Sequence, residues 1–376
     1  MKYEFVTYSP EFHDGIVDLR KRVFGGSIAY NAAYLDWKYL QNPFLTEPCI
    51  YLALHAGQVV GMRGMYGSQW QIGESATPQV FPAGADFAVD PDHRGRGLPA
   101  KIMALARADL AGAGHSHGIS LAAGRTTRLL QLRAGWKRVA TYETYRRGKF
   151  PKLPVTVGRQ LLRIARISKR ARKSARAWTR RLLNLSLQQK PFQRLDAWSR
   201  VAQFPICVTS APRIEAMCQL VASQNAPSTI CHARDATFYD WKFNDPRSAY
   251  RFAYFEQANM LEGFMVLQQR MAGGPITVVD WETSSHHVWE ALIRALVSSG
   301  IKALQITSST FSEEQAQTLR DLDFERVSYT NTRTHPAPGI FITALTETGD
   351  STWSLNGLSL LDAAYWDIRV IASDAF

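Results

Sequence analysis

Apolar and polar residues alternate through IYLALHAGQVVGMRGMYG, residues 50–67, with a break at Ala56-Gly57. A period of two interrupted by a glycine turn predicts a β-hairpin. A short apolar strand and a helix over Ile16 to Phe24 precede it. After it the pattern predicts a strand in ADFAVD (85–90), a glycine-rich turn, a helix over Ala100–Leu110, a strand in GISLAA (118–123) and a helix ending near Ala134-Gly135. Strands and helices do not alternate strictly. The pattern therefore predicts an α+β layer on a mainly antiparallel sheet, not a βαβ chain.

The same order returns in the second half of the chain. YLDWKYLQNP (34–43) is answered by FYDWKFNDP (238–246), so Asp36-Trp37-Lys38 recurs as Asp240-Trp241-Lys242. Upstream, Val6-Thr7-Tyr8-Ser9-Pro10 matches Val208-Thr209-Ser210-Ala211-Pro212, a strand leading to a helix with proline near its start. Downstream, LLQLRAGWKRVA (129–140) matches TLRDLDFERVS (318–328). Three matches in one order indicate a tandem duplication. The expected division is a first domain over 1–147, an insertion over 148–204 and a second domain over 205–376.

Composition narrows the class. With 46% aliphatic and aromatic and 20% charged residues, the chain is globular, not disordered or fibrous. Four separated cysteines without a CxxC pair argue against a disulfide framework or a four-thiolate zinc site and fit a reducing compartment. The N-terminus has no signal-peptide pattern, and no apolar run nears the ~20 residues that span a bilayer. The net charge of +12 suggests nucleic acid until it is located. Between Arg146 and Arg181 lie 14 of the 44 Lys and Arg and no Asp or Glu, which leaves 30 basic against 32 acidic residues elsewhere. Leu161, Ile164, Ala165, Ala171, Ala175, Trp178 and Leu182 recur there mostly at three- or four-residue steps, the pattern of a basic amphipathic helix.

The stretch that carries chemistry is ADFAVDPDHRGRGLPAKIMALA, residues 85–106. A strand runs through Asp90-Pro91 into Arg94-Gly95-Arg96-Gly97-Leu98-Pro99 and a helix. Glycines let backbone N–H groups approach an anion, and a helix start offers unpaired N–H groups and a positive dipole end. This combination resembles the loop of the GNAT N-acetyltransferase superfamily, Arg/Gln-x-x-Gly-x-Gly/Ala. Arg94, Gly97 and Pro99 occupy its fixed positions, and the third departs, because proline has no N–H. The resemblance implies two GNAT-like domains, each a mixed, mainly antiparallel sheet flanked by helices, joined by a basic helical insertion.

It further implies acetyl-CoA as co-substrate, with no metal. Phe87, Ala88 and Val89 would pair with the pantetheine arm, and Arg94, Gly95, Arg96, Gly97, Leu98, Pro99 and Ala100 would hold the pyrophosphate. Gly135-Trp136 match a later family segment, in which Gln131 stands where a tyrosine often protonates the leaving thiolate. Glutamine is no such acid, so Tyr142 or Tyr145 takes its place or the thiolate leaves unassisted. Asp86 is the candidate base for the attacking amine, with a hydrogen-bonded structural carboxylate as the competing role. Asp90 is expected to cap the turn.

The second copy, ITVVDWETSSHHVWEALIRAL, lacks the loop, and Val279-Asp280 read as the partners of Val89-Asp90. It is expected to bind no CoA. Because both copies keep Asp-Trp-Lys, a packing role is favoured for that motif over substrate contact. His115 and His117 lack a third ligand for a metal.

The expected activity is transfer of an acetyl group to a small-molecule amine by direct attack, in the cytoplasm; two-copy GNAT proteins suggest an amino sugar or cell-envelope precursor as acceptor. The alternative is a weakly active or non-catalytic binding protein. Residues 159–181 either pack as a solvated interdomain helix, dock on an anionic membrane at its inner face, or meet nucleic acid or an acidic partner, with nucleic acid disfavoured by the near-neutral remainder.

Overall fold

The computed structural model describes residues 2–75, 77–121, 124–150, 205–224, 228–270, 274–328, 339–346 and 349–373. The 159–181 segment lies outside the described residues. Among those described, no helix is long and apolar enough to cross a membrane.

The first half gives β1 (Glu4–Thr7), α1 (His13–Phe24) and α2 (Ile28–Leu35), which runs into one π-helical turn at Asp36–Leu40. Then come β2 (Cys49–His55), β3 (Gln58–Ile72), β4 (Gln79–Val89), α3 (Leu98–Gly112), β5 (His117–Ser120), α4 (Arg125–Arg133), β6 (Lys137–Thr141) and β7 (Glu143–Gly148). The second half repeats the order: β8 (Ile206–Thr209), α5 (Ile214–Ser223), β9 (Ile230–His232), α6 (Ala236–Phe243), β10 (Ala249–Gln257), β11 (Met260–Gln269), β12 (Ile276–Thr283), α7 (His286–Ser298), β13 (Ala303–Ser308), α8 (Glu313–Asp321), β14 (Glu325–Arg326) and β15 (Gly339–Ala344). The hairpin expected at Ala56-Gly57 joins β2 to β3, with φ of 48° and 76°. Its counterpart, Ala258-Asn259, joins β10 to β11 with φ of 50° and 63°. Two successive positive φ values match the turn to the right-handed twist of the strands.

Both sheets are mixed and mainly antiparallel, with helices packed on them. The first runs β1-β2-β3-β4-β5-β15-β6 and the second β14-β7-β13-β12-β11-β10-β8. The expected ranges 1–147 and 205–376 therefore do not partition the sheets. Strand β7, from the first half, lies between β13 and β14 of the second sheet. Strand β15, from the second half, lies between β5 and β6 of the first. The exchange is reciprocal, and each sheet is completed by the other half. Strand β9 also crosses, pairing with the far end of β3.

The repeated Asp-Trp-Lys sits at the junction. The Trp37 and Trp241 rings stack with centroids 4.9 Å apart and planes 8° apart. Trp37 Nε1 donates to the Trp241 carbonyl and Trp241 Nε1 to the Trp37 carbonyl, each at 2.8 Å. Equivalent residues touching one another mark a local two-fold axis between the halves. Lys38 and Lys242 are buried beside them. Lys38 Nζ donates to Tyr34 Oη at 2.8 Å and Lys242 Nζ to the Ser373 carbonyl at 3.0 Å. The motif is thus held by packing, and one apolar cluster runs through both halves around it.

Candidate active site

Strands β4 and β5 are parallel and pair at Ala83 and Ile119 alone, after which they diverge. Residues 84–89 keep their partner β3 on the other side. A notch opens between β4 and β5, and α3 and α4 flank it. The groove above it has a volume of 470 Å³ and a mostly apolar lining, including Met103, Ala104, Leu110, Leu130 and Trp136. Thr343 and Leu345, from the exchanged strand and the residue after it, complete the floor.

The loop from Asp90 to Gly97 leads from β4 into α3, whose first turn reaches the groove at Ala100. Asp90 accepts from the Asp92 N–H at 3.0 Å and from Arg22 Nε at 2.8 Å, so it caps the turn. Gly95 and Gly97 have φ of 77° and 72°. Gly97 is the N-cap of α3 in left-handed conformation, which β-carbon-bearing residues adopt at a cost. Leu98, the first helical residue, is buried, and Pro99 takes the second position, where its fixed φ fits and one donor is missing. Arg94 and Arg96 are exposed beside this helix start. Phe87 and Val89 belong to the cluster under α3, whereas Ala88 faces the other side.

Asp86 sits in a β-bulge at φ 45°. Its Oδ2 accepts from Tyr39 Oη at 2.7 Å and meets Arg20 Nη1 at 2.8 Å, with Lys38 Nζ at 3.7 Å. The second half builds the same clamp. There the bulge falls at Val279, and Asp280 accepts from Tyr239 Oη at 2.7 Å and Arg234 Nη1 at 3.0 Å. Strand register corrects the expected alignment. Gly61 pairs with Val89 and Gly263 with Thr283, so Asp280 is the counterpart of Asp86, not of Asp90. The tyrosines are not sequence equivalents: Tyr39 aligns with Phe243, and Tyr239 comes from one helical turn earlier.

The second notch is filled. β12 and β13 diverge after Val278 and Ile306. The C-terminal segment lies against their ends, with Ser308 bridged to Arg369 and the Ser309 N–H donating to the Ile368 carbonyl at 3.0 Å. The Arg369 guanidinium stacks 4.2 Å from the Trp281 ring, the counterpart of Phe87. In place of a glycine loop, Ser285 caps α7 directly by accepting from the Val288 N–H.

No protein-family model matches the sequence, and comparison with curated proteins returns no match. Solved structures do match. A conserved protein of unknown function from Enterococcus faecalis V583, described as a probable N-acyltransferase, aligns at TM-score 0.61 and 13% identity over 92% of this chain and 73% of its own. A GCN5-related N-acetyltransferase from Anabaena variabilis aligns at 0.59 and 13% over the same shares. A tandem GNAT protein from the clavulanic acid biosynthesis pathway aligns at 0.52 and 12% over 93% of this chain and 100% of its own.

The chain has the tandem GNAT fold. Against that frame the candidate acids separate. Tyr145 is on β7 and packs in the second core against Phe311, so it is removed from the first groove. Tyr142 is buried, and burial raises its phenol above the ordinary range. Gln131 is fully buried, and neither polar atom of its amide has a hydrogen-bond partner among the described residues. His117 Nε2 lies 2.9 Å from the Thr352 carbonyl. No group of three His, Cys, Asp or Glu able to hold a metal occurs among the described residues. Sequence reading missed Arg20, Tyr39 and Arg63. The first two come from α1 and the π turn, whose periodicity marks only a buried face.

Proposed function

We propose that the chain is an acyltransferase that moves an acyl group from a CoA thioester to an amine, using the first groove. The observation that carries this reading is the open notch at β4, which leads from a glycine-rich helix start into a 470 Å³ apolar groove. Its twin is filled by the chain's own C-terminal segment. The pyrophosphate would lie at Arg94–Ala100, held by first-turn N–H groups of α3 and the Arg94 and Arg96 charges. The pantetheine arm would run along 87–89, taking the backbone groups that β5 leaves free. The amine nitrogen would then attack the thioester carbon, the C–S bond would break, and the thiolate would take up the proton the amine gives off. Gln131 has no proton to give and does not line the groove.

Asp86 enters as the residue that fixes the bulge. Its oxygen is engaged by a phenol and a guanidinium, and the same clamp stands in the half without a loop. That favours positioning of β4 over proton abstraction.

Calorimetry of the full chain with acetyl-CoA tests the reading, and one molecule per chain is expected. Thiol release over a panel of amines then tests transfer. No binding, or two molecules per chain, would overturn it.

A further inference from the structure

Arg63 is a buried cation that the reading above leaves unused. It lies on β3, on the face turned toward α3, next to Met65 in the lining of the groove. Only 2% of it is exposed, and Nη2 has no hydrogen-bond partner among the described residues. The guanidinium crosses β4 at Gly84, where any Cβ would collide with Nη2. Its carbon lies 5.3 Å from the centre of the Phe87 ring. Gly84 adjoins Ala83, where the β4–β5 pairing ends, so the guanidinium stands at the apex of the notch.

Its charge is poorly answered. The acidic neighbour is Asp86, which already serves Arg20 and Lys38. Burial pushes the guanidinium down to about 10, against the pull of Tyr39 and Asp86. Arg107 and Arg133 also line the groove, and no carboxylate does. The phosphates of CoA do not answer it either. Gly84 is five residues from Val89, about 17 Å along the strand from the loop that would hold them. That places Arg63 beyond the pantetheine arm, at the acyl end. A neutral carbonyl would satisfy Nη2 but leave a buried charge uncompensated. A carboxylate does both and fits the planar fork.

We propose that the groove takes an acyl-CoA whose acyl chain ends in a carboxylate, and that Arg63 receives that carboxylate. This rests on the groove being the thioester site, and the test separates the two. The affinity of the full chain is measured by calorimetry for matched donors: propionyl-CoA against malonyl-CoA, and butyryl-CoA against succinyl-CoA. One acid is expected to bind at least about tenfold tighter than its neutral partner, as for a hydrogen bond to a charged group. Arg63→Gln is expected to bring that acid to the level of the neutral donor. Gly84→Ala, which displaces the guanidinium without removing it, is expected to reduce the ratio. Equal binding of acid and neutral donors by the unaltered chain overturns the proposal and leaves the thioester site standing. Arg63→Gln weakening both donors alike overturns it too. Failure of every CoA to bind overturns both.

Discussion

Replacing Asp86 and Asp280 in parallel tests whether the bulge carboxylate is a clamp. Asn keeps the shape and removes the charge. At Asp86 it leaves Arg20 at 2.8 Å and Lys38 at 3.7 Å without their anion. At Asp280 it removes the 3.0 Å pair with Arg234, which keeps Glu282 at 2.6 Å. Removing one partner of a buried pair costs about 3–5 kcal/mol. Arg234 keeps Glu282, and burial already raises the Asp280 carboxyl above its ordinary range, so the Asp280→Asn loss should be the smaller, although that side chain is fully buried and Asp86 is 13% exposed. Ala adds two effects. It removes a hydrogen-bond acceptor at both sites, worth about 1 kcal/mol. At Asp86 alone it also puts a residue poor in the left-handed region at φ 45°, worth about 1–2 kcal/mol more. The extra cost of Ala over Asn should therefore be about 2–3 kcal/mol at Asp86 and about 1 kcal/mol at Asp280.

Urea unfolding of the four full-length variants, followed by circular dichroism and by tryptophan fluorescence, measures both gaps. Turnover is read alongside, below each transition. Equal gaps would refute the backbone argument. Asp86→Asn with unchanged stability, a more than hundredfold fall in kcat and loss of an acid limb from the pH–rate profile would refute the clamp and make the carboxylate the base.

Trp37→Ala and Trp241→Ala should each cost about 3–5 kcal/mol. The double variant should cost less than their sum, because one stack and two reciprocal bonds are shared; additive denaturant midpoints would contradict the two-fold contact. His232, packed between Trp70 and Phe238, is held down to about 3 by burial and by Lys242 and Arg234, against 6.5 when free. Above pH 6.5 it is neutral folded and unfolded. As pH falls below 6.5 only the unfolded chain takes the proton, so stability drops by about 1.4 kcal/mol per pH unit, or about 2 kcal/mol by pH 5. His232→Phe should lose less between pH 7.5 and 5 in urea titrations, and a parallel loss would remove His232 as the cause. A fragment ending at residue 150 lacks β15 and should bind no acetyl-CoA in calorimetry. A soluble, binding fragment would show that the exchanged strand is dispensable.

Local features were legible in the sequence. The hairpin at 56–57, the glycine helix start at 97 and the recurring Asp-Trp-Lys each depend on residues close along the chain. Long-range features were not. ETYRRG is half-buried and GIFITA is buried throughout, and neither pattern tells which sheet receives the strand. For the same reason Tyr145 read as a neighbour of the first groove. The Asp280 alignment slipped by four because the second half has no loop, and Val-Asp recurs on either side of the gap. Only the paired bulges, fixed by Gly61 against Val89 and Gly263 against Thr283, restore it.

The exchange changes what the second half is for. A half without a CoA loop reads as a degenerate copy kept for packing. Yet the first sheet has a gap between β5 and β6 that only β15 fills, and Thr343 and Leu345 then face the groove. The second half in turn takes β7 and closes its own notch with the segment around Arg369. One notch is left open over one apolar cluster and the other is filled over a second. A substitution in β15 thus acts on the groove directly, although it lies about 240 residues from the loop in sequence, and the second half is part of the groove.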